Sequence, residues 1–230
     1  IHSSLIFHTH FFIISLRNTF RLENTEIMKN LVIGQSGGPT AVINASLYGA
    51  VKAFRESGAD GHVLGMINGI EGFLADHVMD LSTDLSDKEL ELLKLTPAAY
   101  LGSCRYKLPA DLDSEVYPAI FDNFREMNIG YFLYVGGNDS MDTVDKLSRY
   151  AEKIGSDVKF IGIPKTIDND LVLTDHTPGF GSAAKYVAPT VREIVLDASV
   201  YQQRSVTIVE IMGRHAGWLT AASRLARKYE

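Results

Sequence analysis

The chain has 230 residues, of which 46% are hydrophobic and 22% are charged, and its formal net charge is −6. This composition is typical of a globular protein with a substantial core, in one large domain or two small ones. The acidic balance argues against a nucleic-acid partner, which clustered lysine and arginine would indicate, although a few cations in a cleft can still bind a small anion.

The N-terminal segment differs from the rest of the chain. Its apolar run, residues 5–16, contains two histidines, is too short to span a bilayer and has no basic flank before it. Regular patterning starts at Met28. We therefore interpret residues 1–27 as an upstream or non-native extension, with a targeting peptide as the alternative, and we expect no membrane partner. The single cysteine, Cys104, excludes an intrachain disulfide and favours a cytoplasmic location.

Strands and helices alternate in the first half of the remaining sequence. A short apolar strand ends at Gly34, and the helix after it stops at Gly58. Ser86 and Glu89 form a capping-box pattern that opens a further helix. The predicted elements are a strand at 31–33, a helix ending at 57, a strand at 62–67, and helices at 87–95 and 114–127.

The second half repeats this alternation. The predicted elements are a strand at 131–135, a helix with Val144, Leu147, Ala151 and Ile154 inward, a strand at 159–163, a helix at 182–198 bent near Pro189, a strand at 205–211 and a final helix containing Trp218, Ala222 and Leu225. Strands separated by helices predict an α/β fold with a doubly wound, mainly parallel, Rossmann-like sheet. Ligands of such folds bind at the carboxyl ends of the strands.

Two glycine-rich loops follow predicted strands. In the first, Gly37 and Gly38 allow backbone N–H groups to approach an anion at the start of a helix, although a tight strand-to-helix turn is an equal alternative. In the second, Gly137 precedes Asn138 and Asp139, whose oxygens suit Mg²⁺. Helix capping is the alternative reading for this loop, and the two roles are compatible.

Two further loops carry charged residues. Lys165 offers a cation to a phosphoryl group, and Asp168 and Asp170 offer carboxylates, with a solvated acidic turn as the alternative. Arg214 follows a glycine at a helix start and is suited to bidentate phosphate binding. His215, beside it, is more typical of a structural histidine.

In this order and at these spacings, four motifs resemble those of the phosphofructokinase family. They are Ser36-Gly37-Gly38, Gly136-Gly137-Asn138-Asp139-Ser140, Thr166-Ile167-Asp168-Asn169-Asp170 and Met212-Gly213-Arg214. NAD kinases and diacylglycerol kinases share a glycine loop but lack the last two motifs. The resemblance implies Mg²⁺-dependent phosphoryl transfer to the 1-hydroxyl of fructose 6-phosphate by a homo-oligomer.

The resemblance also implies roles for individual residues. Asp168 matches the proton acceptor, and Arg204 matches an arginine that reaches the sugar phosphate, in many members from a neighbouring subunit. The implied donor contacts are Gly37, Gly38, Arg105, Gly137, Asn138 and Ser140. The implied sugar-phosphate contacts are Thr166, Ile167, Asp168, Asp170, Arg204, Met212, Gly213 and Arg214.

Two residues indicate which donor is used. ATP-dependent members typically have glycine at the positions of Asp139 and Lys165, and this chain resembles the pyrophosphate-dependent branch. The Asp139 carboxylate would occupy and repel the position of the inner phosphate of ATP, while Lys165 could neutralise charge on the transferred group, so both are assigned catalytic roles. An ATP-dependent enzyme and a non-catalytic regulatory subunit are the alternatives.

The magnesium position departs from the family pattern. Many relatives carry aspartate where this chain has Asn138, which keeps an oxygen but loses the charge. The resemblance therefore assigns a larger share of metal binding to Asp139, Asp168 or bridging water. Family members also extend well beyond this length, so residues 28–230 are interpreted as a truncated donor-binding and catalytic region.

Overall fold

The computed structural model describes residues 29–38, 40 and 42–227. The interpretation of residues 1–27 concerns a segment outside these ranges. The chain divides into two compact units, the first ending at Pro164 and the second beginning at Lys165. None of the described helices is long and apolar enough to cross a bilayer.

The first unit is built around a five-stranded sheet with the order β3-β2-β1-β4-β5. Its strands are β1 (Asn30–Gln35), β2 (Val63–Met66), β3 (Val78–Asp80), β4 (Ile129–Gly136) and β5 (Lys159–Pro164). All neighbouring strands are parallel except β2 and β3, which are antiparallel. The mainly parallel sheet predicted from the sequence is therefore confirmed.

Five helices connect these strands: α1 (Ile43–Ser57), α2 (Gly69–Leu74), α3 (Asp87–Leu93), α4 (Val116–Glu126) and α5 (Asn138–Ile154). Helix α1 ends at Gly58, whose φ of 72° is in the left-handed region where glycine is favoured. The capping box of Ser86 and Glu89 is present at the start of α3. The short elements α2 and β3 were missed because neither is long enough to show a hydrophobic period.

Both faces of the sheet are covered, as a doubly wound fold requires. On β1, Leu31 and Ile33 pack with α1 and α3, while Val32 between them packs with α2, α4 and α5. All three side chains are fully buried. Alternate residues of a strand point to opposite faces, so a strand buried on both sides is apolar at every position. The second face is rich in aromatic rings, which pack at tilted angles around Phe124 and Phe132.

The second unit contains helix α6 (Phe180–Ser199), helix α7 (Trp218–Ala222) and a 3-10 turn at Ser223–Ala226. Pro189 lies inside α6, as the sequence suggested, and none of the residues of α6 is buried.

Two sequence-based expectations are wrong. Residues 205–211 form no strand, and Val206 and Ile208 are each 90% exposed. Alternating apolar residues favour a strand only when a neighbouring strand pairs with their backbone groups. The described residues of this unit include no strand that could serve as that neighbour. Ile154 is 44% exposed instead of inward, because it is the last residue of α5 before the turn at Gly155.

Candidate functional site

The first glycine-rich loop follows β1 and is held by the segment around Cys104. The amide of Gly37 donates a hydrogen bond of 3.2 Å to the carbonyl oxygen of Cys104, and the Ser103 hydroxyl donates to the carbonyl of Gly37 at 2.6 Å. Gly37 has a φ of 77°, which side chains rarely adopt. A Cβ on Gly38 would meet nothing within 4 Å, so the space beside this glycine is open to a ligand.

The second glycine-rich loop lies against the first. Strands β1 and β4 run parallel and in register up to Gln35 and Val135, so their loops leave the same edge of the sheet. The hydroxyls of Ser36 and Ser140 share a buried hydrogen bond of 2.9 Å. A Cβ on Gly136 would lie 1.9 Å from the Ser140 hydroxyl within the second loop and 3.0 Å from the carbonyl oxygen of Ser36 in the first, so only glycine fits at this position. The structure thus brings together the two loops that the sequence singled out.

The exposed side chains of this region lie on two segments. Arg105, predicted as a donor contact, is exposed just after Cys104. Asn138 and Asp139 are exposed in the first turn of α5. The Lys107 ammonium lies 3.4 Å from a carboxylate oxygen of Asp139, an ion pair that the sequence did not predict.

A buried pair of side-chain amides lies beneath the first loop. The Gln35 amide nitrogen donates to the Asn44 side-chain oxygen at 2.9 Å, and the backbone N–H of Leu101 donates to the Gln35 side-chain oxygen at 2.9 Å. The same Asn44 oxygen accepts from the Tyr100 backbone N–H at 2.8 Å, while its amide nitrogen donates to the carbonyl of Thr96 at 2.9 Å.

Sequence reasoning missed this pair. The available signal was a glutamine and an asparagine at positions where the strand and helix patterns require burial. Both side chains are fully buried. Together they join the end of β1, the start of α1 and residues 96–101, which lead directly to Ser103 and Arg105.

A buried tyrosine completes the packing below the loops. The Tyr134 hydroxyl lies 3.6 Å from the Cys104 sulfur and accepts a hydrogen bond of 3.4 Å from the amide of Ile70. Burial raises the pKa of this hydroxyl above its ordinary value, so it remains a neutral phenol. Cys104 is itself buried.

The remaining predicted site residues belong to the second unit. In the loop from Lys165 to Gly179, the Thr177 hydroxyl donates to the carbonyl of Thr166 at 2.7 Å, and the Thr177 amide donates to the Asn169 side chain at 2.8 Å. The Thr166 hydroxyl accepts from the amide of Asp168 at 3.0 Å. These contacts fix the backbone on which Asp168 is presented.

The charged side chains of this loop differ in exposure. Lys165 is only 6% exposed, and Asp168 and Ile167 are half-buried, whereas Asp170 is exposed. Asn169, which no sequence argument assigned a role, adopts a φ of 59° and is buried. Its side chain joins two parts of the loop backbone, because its amide nitrogen also donates to the carbonyl of Asp175 at 3.1 Å.

The last predicted motif forms a tight turn. The amide of Ala216 donates to the carbonyl of Gly213 at 2.7 Å, and a Cβ on Gly213 would lie 2.1 Å from the carbonyl oxygen of Ala216. Gly213 is thus needed for the turn, while Met212 and Arg214 are exposed beside it. Arg204 is exposed within the extended segment that precedes the turn.

Clustered metal-binding side chains are absent from the described ranges. These ranges contain no group of three or more histidine, cysteine, aspartate or glutamate side chains able to hold an ion. Mg²⁺ usually binds through one or two carboxylates together with water and substrate phosphates. The exposed oxygens of Asn138 and Asp139 fit this mode of binding.

Comparison with known proteins identifies close relatives. The family described as Phosphofructokinase matches residues 30–230. The chain is 45% identical over 206 residues to a pyrophosphate–fructose 6-phosphate 1-phosphotransferase of Halomonas elongata, covering 87% of this chain and 49% of the relative. It is 47% identical over 200 residues to the protein of the same name from Xanthomonas campestris, covering 86% of this chain and 47% of that relative.

A solved structure is similar as well. The pyrophosphate-dependent phosphofructokinase of Nitrosospira multiformis aligns with a TM-score of 0.78 at 43% identity, covering 88% of this chain and 50% of that chain. The chain thus spans about half the length of the curated relatives it matches.

Substitution of Gly136 tests the close contact of the two glycine-rich loops. Gly136→Ala places a methyl group against Ser140, and overpacking of this kind is expected to lower the free energy of unfolding by about 1 to 3 kcal/mol. Urea unfolding followed by circular dichroism measures the change. Gly49→Ala is the matched control, since a Cβ there meets nothing within 4 Å. It is expected to stabilise helix α1 by roughly 0.5 to 1 kcal/mol. Equal effects of the two substitutions would contradict the packing described.

Proposed function

Because the chain belongs to the phosphofructokinase family, we propose that the complete protein transfers a phosphoryl group from pyrophosphate to the 1-hydroxyl of fructose 6-phosphate. The products are fructose 1,6-bisphosphate and phosphate, and the reaction runs in both directions. The observation that carries the choice of donor is Asp139, whose exposed side chain lies in the first turn after the second glycine-rich loop, where it would occupy space that the inner phosphate of a nucleotide needs. The names of the relatives support the same choice.

In this proposal the first unit binds the donor. Backbone groups of Gly37, Gly38 and Gly137 approach the phosphate oxygens, which the open space beside Gly38 permits. The Ser140 hydroxyl positions the second loop through its bond to Ser36. Arg105, exposed on the neighbouring segment, supplies positive charge to the transferred group.

Magnesium fits the donor loops through the exposed oxygens of Asn138 and Asp139. When bound, it supplies positive charge that neutralises pyrophosphate oxygens. Its other ligands would come from phosphate oxygens and water.

The second unit provides the base in this proposal. The half-buried Asp168 carboxylate accepts the proton of the sugar 1-hydroxyl, whose oxygen forms a new bond to phosphorus as the bond to the leaving phosphate breaks. Lys165 stabilises the negative charge that develops on the transferred and leaving groups. The rate comes mainly from positioning and charge stabilisation, because phosphoryl transfer needs little covalent help from the protein.

The same unit holds the sugar phosphate. Arg214 and Arg204 pair with its oxygens, and Arg204 acts on the substrate of a neighbouring subunit in a homo-oligomer. The other proposed contacts are Thr166, Ile167, Asp170, Met212 and Gly213.

An assay of the complete protein with both donors tests the proposed reaction. Pyrophosphate is expected to support formation of fructose 1,6-bisphosphate and ATP is not. Activity with ATP alone would establish the alternative, an ATP-dependent enzyme. In the double variant Asp139→Gly with Lys165→Gly, use of pyrophosphate is expected to be lost, because a carboxylate and a cation suited to the small donor are removed. Calorimetric titration with ATP then measures whether nucleotide binding is gained.

The role of Asp168 is tested by Asp168→Asn in the complete protein. Removing a general base is expected to lower kcat by about 10² to 10⁴-fold with a smaller change in KM. Circular dichroism of the variant controls for folding, because the backbone contacts of this loop come from Thr166, Asn169 and Thr177. Unchanged activity would favour a regulatory chain.

A further inference from the structure

Three segments of the first unit form a closed ring of contacts around the proposed donor position. The Ser36 and Ser140 hydroxyls join the first and second glycine-rich loops at 2.9 Å. Gly37 is joined to the segment 102–107 through Ser103 and Cys104. Lys107, at the end of that segment, contacts the second loop through its ion pair with Asp139. Only the last of these three contacts is made between charged groups.

The ion pair is exposed on both sides. The side chains of Lys107 and Asp139 are 72% and 55% exposed, and 3.4 Å separates the ammonium nitrogen from the carboxylate oxygen. Exposed pairs of this kind contribute little to the free energy of folding, because water screens them and two side chains must be ordered. The main consequence of this pair is therefore electrostatic, at the position where an anionic donor must approach.

Asp139 by itself poses a difficulty for any phosphate donor. A carboxylate beside the glycine loops repels pyrophosphate as well as nucleotide, since both carry several negative charges. The nearby Lys107 ammonium offsets this charge. A lysine suits this task because its ammonium is a compact charge on a flexible stem and can follow the carboxylate.

We propose that Lys107 is a specificity-determining residue that neutralises Asp139, so that the carboxylate excludes nucleotide by occupying space without repelling pyrophosphate. The inference rests on the proposed function. Lys107 acts through Asp139 and not on the reacting atoms, and its loss weakens donor binding more than it slows the chemical step.

A double-mutant cycle in the complete protein tests this coupling. Lys107→Met, assayed at saturating Mg²⁺, is expected to raise the KM of pyrophosphate about tenfold, because the metal alone then offsets the Asp139 carboxylate, with kcat changed by less than about twofold. In the Asp139→Asn background the same substitution is expected to raise KM by less than about threefold, because no charge remains to be neutralised. Where a variant turns over too slowly, calorimetric titration with pyrophosphate gives the same cycle from Kd.

Two further variants serve as controls. Lys107→Arg retains the positive charge and is expected to keep the KM near that of the unmodified protein. Lys153→Met removes a lysine in the last turn of α5 that pairs with Asp113. It is expected to leave the KM unchanged. Equal effects of Lys107→Met and Lys153→Met, or equal effects of Lys107→Met in both backgrounds, would overturn the role of Lys107. Lack of any pyrophosphate activity and binding in the unmodified protein would overturn the proposed function together with this inference.

Discussion

The donor half of the proposed site depends on the buried pair of amides formed by Gln35 and Asn44. Burying such polar groups is costly unless they find hydrogen-bond partners, and here the backbone of residues 96–101 supplies several of them. Because these partners are backbone groups, the pair fixes the path of a long irregular connection instead of a single side chain. That connection carries Ser103 to Gly37 and places Lys107 near Asp139.

The sheet supplies the second constraint. Strands β1 and β4 end together because they are parallel neighbours in register, so the loops that leave them meet at one edge. Gly136 has no room for a side chain, because a Cβ there would overlap Ser140 of the same loop and lie 3.0 Å from the carbonyl oxygen of Ser36 in the other loop. The geometry of the proposed donor loops is thus a consequence of strand register, a glycine at the contact and one serine pair. The side chains of the first unit that are proposed to select the donor, Asp139 and Lys107, lie at exposed positions, where they can change without disturbing the core.

The sequence predicted the parts of this arrangement that depend on local patterns. Helix α1, the capping box of α3 and the two glycine-rich loops all follow from residue spacing and turn chemistry, and the structure confirms them. The contacts of Gln35 with Asn44 and of Lys107 with Asp139 were not predicted, because local periodicity carries no information about which distant polar groups meet. The strand predicted at residues 205–211 is wrong for a related reason. Their alternation is strand-like, but a strand requires a paired neighbour, which is a property of the tertiary structure.

The central claim is that the donor loops of the first unit form a site matched to pyrophosphate. Hydrogen–deuterium exchange of the complete protein, with Mg²⁺ and either pyrophosphate or ATP, tests it most directly. Pyrophosphate is predicted to slow exchange in peptides covering residues 36–38, 102–107 and 137–140, and ATP is predicted to leave them unchanged. Protection of these peptides by ATP and not by pyrophosphate, or protection by pyrophosphate only elsewhere in the chain, would contradict the account.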